Sequence, residues 1–146
     1  MTLAELIAQT ERQLTDAGVA FGHGTTNARD EAAWLVLHAL GLPLDTDLAD
    51  ESWSKQPLTA DQQAQVAILL RARIDSRQPL AYLTREAWLQ GVPFYVDQRA
   101  IVPRSLIAEC LGEGSIDPWL SGGTRNVLDL CTGNGSLAVL AALAWP

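Results

Sequence analysis

The chain has 146 residues, 48% of them hydrophobic and 18% charged, which is enough apolar material for a buried core and too much for a disordered chain. Ten basic against seventeen acidic residues give a net charge of −7, with Lys55 the single lysine. That balance argues against an electrostatic grip on nucleic-acid phosphates, and the arginines Arg71, Arg73 and Arg77 read as the solvated side of a helix.

Cys110 and Cys131 form neither a CxxC pair nor a ligand cluster with His23 and His38, so no metal site is expected. Residues 1–20 carry Glu5, Glu11, Arg12 and Asp16, which is not the pattern of a signal peptide. Apolar runs fall short of a membrane span. A cytoplasmic protein with reduced thiols, and no membrane partner, is the expectation.

The first half reads as helices. Thr2 and Glu5 have capping-box spacing, and Leu3, Leu6, Ile7 and Leu14 follow at helical intervals until Gly18. Asn27 caps a second helix, over Ala28 to Leu40, whose inner face holds Ala32, Leu35, Val36 and Leu40. Residues 44–57 read as irregular. Thr59 and Gln62 repeat the capping-box spacing, and a third helix follows from Ala60 to Ser76, burying Val66, Ile68, Leu69, Ala72 and Ile74 to varying degrees. Trp34, Trp53 and Trp88 read as packing anchors and His38 as a packed histidine.

The pattern changes near Gly91. Residues 92–102 are rich in β-formers, and Asp97-Gln98 between two apolar runs predicts a hairpin turning there. Phe94 and Tyr95 alternate on its strand. Pro103-Arg104-Ser105 opens a short helix to Leu111, and Pro118-Trp119-Leu120 one helical turn. Asn126-Val127-Leu128-Asp129-Leu130 reads as a buried parallel strand. It runs through Cys131-Thr132-Gly133-Asn134-Gly135 into a helix from Ser136. Strand, glycine loop and helix open a doubly wound α/β domain, with the loop aiming free helix amides at a ligand.

A dinucleotide fingerprint would place glycines at Cys131, Gly133 and Ser136, and two of the three are absent. A P-loop would end in a lysine that this loop lacks. The run D-L-C-T-G-N-G resembles instead the first motif of class I S-adenosylmethionine methyltransferases, with Cys131 in the first glycine position. That resemblance assigns Asp129, Cys131, Thr132, Gly133, Asn134 and Gly135 to the cofactor, Asp129 near its amino group.

Tyr82-Leu83, Phe94-Tyr95-Val96 and Ile101-Val102-Pro103-Arg104 extend the resemblance to the HemK/Prm family of protein glutamine methyltransferases. Pro103-Arg104-Ser105, the cysteine-first loop and Glu86-Ala87-Trp88 are most similar to its PrmB subfamily, although Leu106 stands where that subfamily has proline. The resemblance implies a helical substrate-recognition domain (1–85) and a hairpin connector (86–104). The first strand–helix unit of a Rossmann-like S-adenosylmethionine domain follows at 105–146, as a truncated α/β part. It implies methyl transfer to a glutamine amide of a large-subunit ribosomal protein, with a release factor as the alternative substrate and a non-catalytic ribosomal-protein adaptor as the alternative role. Phe94 and Arg104 become substrate-side candidates, Arg104 having a local salt bridge to Glu109 as its other reading. The family's N-P-P-Y motif, which holds the amide, does not occur in these residues, so this chain is expected to be an inactive fragment.

Overall fold

The computed structural model describes all 146 residues except the side chain of Trp53, so the packing role read for that tryptophan lies outside the described residues. The chain divides into two compact units, Met1–Thr84 and Arg85–Pro146.

The first unit is helical: α1 (Leu3–Asp16), α2 (Ala28–Ala39), α3 (Glu51–Ser54), α4 (Ala60–Ser76) and α5 (Leu80–Thr84). The sequence marks the starts of the three long helices. Thr2 Oγ1 accepts from the Glu5 amide at 3.3 Å, and Glu5 Oε2 accepts from the Thr2 amide at 2.8 Å. Thr59 and Gln62 close the same reciprocal pair at 3.2 and 2.9 Å. Asn27 Oδ1 accepts from the Asp30 amide at 2.9 Å. Each cap satisfies amides that a helix start leaves open, and is worth about 1 kcal/mol.

The core joins Leu3, Ile7 and Leu14 of α1 to Leu35 and Val36 of α2, Val66 and Leu70 of α4 and Leu80 of α5. Burying each such side chain contributes roughly 1.5–3 kcal/mol. Leu40 and Trp34 pack at its edge, half-buried. Two expectations for α4 are corrected. Its inward line is Val66, Leu70 and Arg73, and Ile68, about 200° around the helix from Val66, is 72% exposed. Arg73 is not solvated but buried. Its Nε donates to Glu31 Oε1 at 2.7 Å and its Nη2 to the Ala20 carbonyl at 2.8 Å, while Thr25 Oγ1 donates to Glu31 Oε2 at 2.9 Å. The single turn α3, inside the stretch read as irregular, begins where Asp50 Oδ1 accepts from the Ser52 amide at 2.8 Å.

The second unit opens with a two-stranded antiparallel hairpin, β1 (Glu86–Leu89) and β2 (Val92–Tyr95), paired from Glu86↔Tyr95 to Leu89↔Val92. The turn is therefore at Gln90-Gly91, not at Asp97-Gln98. Both turn residues have positive φ, 51° and 73°. Two consecutive left-handed residues match the twist of a two-residue hairpin, and Gly91 takes that conformation without a Cβ penalty. Asp97 instead folds back on Arg99 beyond β2.

Helix α6 (Leu106–Gly112) starts at Ser105, whose Oγ accepts from the Ile107 amide at 3.2 Å. A 3-10 turn covers Asp117–Trp119, and α7 runs from Ser136 to Ala144. Ala108, Leu111, Leu140 and Ala141 form the core here, with Leu89, Val92, Phe94, Leu137 and Trp145 against it. Residues 126–130 do not form the expected buried strand: they lie without ladder partners, and Val127, Leu128 and Leu130 are 60%, 80% and 77% exposed. A strand exists only where a neighbour takes its backbone hydrogen bonds, and among the described residues none lies beside it.

Candidate functional site

Residues 129–135 form one tight turn that delivers the chain into α7. Thr132 Oγ1 lies 2.9 Å from Asp129 Oδ2 and 3.1 Å from the Asp129 carbonyl. The Gly135 amide donates to the Thr132 carbonyl at 2.9 Å, and the Val139 amide to the Gly135 carbonyl at 3.0 Å. Asn134 Oδ1 accepts from the Ser136 amide at 3.3 Å, and its Nδ2 makes a long 3.5 Å contact with the Tyr95 carbonyl.

Three residues of the turn are left-handed: Cys131 (φ 61°), Gly133 (φ 60°) and Gly135 (φ 83°). A Cβ on Gly133 would approach the Cys131 carbonyl at 3.9 Å and otherwise meet open space, so the glycine is there for its dihedral and not for crowding. Cys131 holds the same region with a side chain, at a cost of about 1–2 kcal/mol. That explains why a glycine would fit the first position of the motif. The thiol is exposed, and both cysteines are free. Asp129 is half-buried and Thr132 exposed. The loop is therefore an exposed, polar turn between one carboxylate and the first turn of a nine-residue helix, whose dipole favours an anion.

An apolar hollow of about 520 Å³ adjoins the loop, lined by Ile107, Leu111, Leu128, Leu137 and Ala141 and also by Asp129. Its lining resembles a core surface, with Asp129 its one charged residue.

The residues read from the sequence as one cofactor loop, Asp129 to Gly135, are thus gathered in a single turn. The two substrate-side candidates are placed differently. Phe94 is half-buried against the α6–α7 core, and Arg104 is exposed just ahead of the Ser105 cap. Trp88, read as an anchor, faces outward at 48% exposure and donates its Nε1–H to Glu86 Oε1 at 2.7 Å. Tyr95 alternates outward from Phe94 at 57% exposure, and its carbonyl is what Asn134 approaches. No local pattern announces that contact, because 39 residues separate its partners.

Past β2 the Arg99 guanidinium grips the Asp97 carboxylate, with Nε to Oδ1 at 2.9 Å and Nη2 to Oδ2 at 2.7 Å, and Tyr95 adds its hydroxyl at 3.2 Å. Arg99's side-chain and backbone hydrogen bonds hold the Asp97 carboxyl down at about 2, from an ordinary value of 3.8.

Comparison with known proteins gives two findings. The family model described as the PrmC N-terminal domain matches residues 5–84. The chain is also 48% identical over 149 residues to the ribosomal protein uL3 glutamine methyltransferase of Burkholderia pseudomallei (strain K96243), covering 99% of this chain and 47% of that protein. The enzyme of that name from Bordetella pertussis is 49% identical over 147 residues (99% and 48%), and that of Xanthomonas campestris pv. campestris 44% over 139 (94% and 44%). The chain spans about half the length of the curated relatives it matches. With its helical unit matched almost end to end, over more than half of its 146 residues, the chain belongs to the PrmC N-terminal domain family of the HemK/Prm proteins.

Proposed function

We propose that this chain serves S-adenosylmethionine-dependent methylation of a glutamine side-chain amide in the ribosomal protein uL3. The carrying observation is an overall identity of up to 49%, over alignments covering 99% of the chain, to relatives named as ribosomal protein uL3 glutamine methyltransferases. Those names favour the ribosomal substrate over a release factor. A cytoplasmic site of action belongs to the same proposal. Among the described residues no helix is long and apolar enough to cross a membrane.

The loop suits the cofactor by its chemistry. The Asp129 carboxylate can accept from an ammonium group, and the α7 start offers amides to a carboxylate. Gly133 and Gly135 leave space along the backbone. S-adenosylmethionine would supply an electrophilic methyl on its sulfonium sulfur. The protein's share is orientation: Thr132 fixes the Asp129 carboxylate from one side, and the left-handed residues hold the turn open. An amide nitrogen is a weak nucleophile, because its lone pair is delocalised, so alignment of the two reactants is the main demand on the enzyme. The helical unit, which the PrmC N-terminal domain model matches, is assigned to docking the protein substrate.

Calorimetric titration of S-adenosylmethionine into the full-length protein tests this reading. Asp129→Asn removes the charge from one charge-assisted hydrogen bond, so affinity should fall at least about tenfold. Gly133→Val, which cannot take φ 60° without strain, should abolish binding while leaving the helical unit folded. Absence of binding by the unmutated protein would overturn the cofactor assignment.

A further inference from the structure

The loop of residues 129–135 is joined to the hairpin through the side chain of Asn134, which is half-buried and uses its carboxamide at both ends. Its Oδ1 accepts at 3.3 Å from the amide of Ser136, the first residue of α7. That bond fixes the orientation of the group, because an amide N–H can be received by the oxygen and not by the nitrogen. Nδ2 is then the end that meets the Tyr95 carbonyl, at 3.5 Å. Among the described residues the other hydrogen bonds of the loop stay within residues 129–139, from Thr132 to Asp129, from Gly135 to Thr132 and from Val139 to Gly135.

The carbonyl that Nδ2 meets is firmly held. Tyr95 ends β2 and pairs with Glu86 of β1. On one side of it Phe94 packs against the α6–α7 core. On the other, Val96 is 1% exposed and donates its amide to the Arg85 carbonyl at 3.3 Å. The loop is the softer partner, since residues 126–130 ahead of it have no ladder partners. The hairpin also has a special place in the chain: β1 starts at Glu86, just past Thr84, where the helical unit ends. A neutral N–H···O bond is best at about 2.9–3.0 Å, so the tie at 3.5 Å is slack. Ordering the loop removes entropy that a bond to it must otherwise overcome, so a ligand held by the loop strengthens the tie.

We propose that Asn134 is a positioning residue that couples the cofactor loop to the hairpin: filling the loop secures Nδ2 on the Tyr95 carbonyl and stiffens β2. This rests on the function proposed above. Cofactor occupancy is thereby felt at the junction with the helical unit, which is assigned to docking the protein substrate. A residue that only capped α7 would need Oδ1 alone, and its Nδ2 donor would have no use.

The test is hydrogen exchange on full-length protein, with and without saturating S-adenosylmethionine. Asn134→Ser keeps a short acceptor for the Ser136 amide, but its hydroxyl stops short of Tyr95. Asn134→Asp keeps the size and the acceptor and has no donor. Both residues suit a helix start, so neither variant should melt below the parent. In the parent, cofactor should slow exchange over residues 92–96 by about twofold or more. In Asn134→Ser that slowing should vanish while residues 129–138 still gain protection. Slowing at 92–96 that survives in Asn134→Ser overturns the coupling, as does a parent that binds cofactor with no change there. If the parent binds no cofactor, the function falls, and the ligand-free comparison decides the tie. Faster exchange at 92–96 in both variants than in the parent supports it, and equal exchange refutes it.

Discussion

Arg73 and Glu31 are 1% and 3% exposed at their side chains, and each charge is held by more than its partner. Arg73 also binds the Ala20 carbonyl, and Glu31 the Thr25 hydroxyl, so the pair fastens both ends of the segment between α1 and α2. Two charges taken from water are expensive, and their attraction roughly offsets that cost, so the pair is better evidence of specificity than of net stability. Removing one member is a different matter, because the other stays buried and unpaired. Arg73→Met should therefore destabilise the helical unit by about 3–5 kcal/mol, a large share of what a domain of this size has. The double replacement Arg73→Met with Glu31→Leu should recover much of it. Chemical denaturation of the parent, both single variants and the double checks this. Losses that simply add would show that the pair is not coupled.

At the scale of elements, the long helices were legible because their signals are local. A threonine hydroxyl at the cap with a glutamate or glutamine three residues on states where α1 and α4 begin, and the structure closes both boxes. The buried pair was not legible. Arg73 and Glu31 are 42 residues apart, and an arginine-rich stretch looks solvated until the fold brings a carboxylate to it. The hairpin failed for another reason. Two apolar runs flank Asp97-Gln98, and that pattern outweighed Gln90-Gly91, although only the latter pair supplies the two left-handed residues that a tight turn needs. The site loop was readable as chemistry, because its carboxylate and glycines are contiguous. Its strand was not readable as structure, since pairing depends on neighbours. What Asp97-Gln98 does instead can be tested. The Arg99 hydrogen bonds depress the Asp97 carboxyl from 3.8 to about 2. A depressed acid stabilises the fold at pH values above its unfolded pKa and loses that contribution as pH falls through the folded one. The Asp97–Arg99 clasp should thus be intact down to about pH 4 and open progressively toward pH 2. Carbon-detected NMR titration of the Asp97 carboxyl should give a midpoint near 2, and Arg99→Gln should return it toward 3.8. An equal midpoint in both proteins would show that the guanidinium is not the cause.

Taken whole, the molecule is uneven in how much core each unit owns. The helical unit draws eleven buried residues from α1, α2, α4, α5 and the segment after α1 into one cluster. The second unit gathers four on α6 and α7, with Ala87, Val96 and Val102 buried besides, and leaves Leu128 and Leu130 largely exposed. Local opening free energy follows buried apolar contact and protected hydrogen bonds, so the two units should differ strongly in amide exchange. Amides in the middle of α1, α2 and α4 should exchange slowest, at the rate of global unfolding of the helical unit. Those of residues 126–130, with no ladder partners, should exchange near the unfolded rate. This asymmetry bears on function, because the loop that would hold the cofactor hangs between that unprotected segment and α7. Ligand binding should extract its ordering cost there, and protection should rise first at residues 129–138 when S-adenosylmethionine is added to full-length protein. Hydrogen exchange read by mass spectrometry checks both statements. Strong protection over residues 126–130 in this chain alone would mean that the segment has found a strand partner, and the reading of an open, unpaired loop entrance would have to be abandoned.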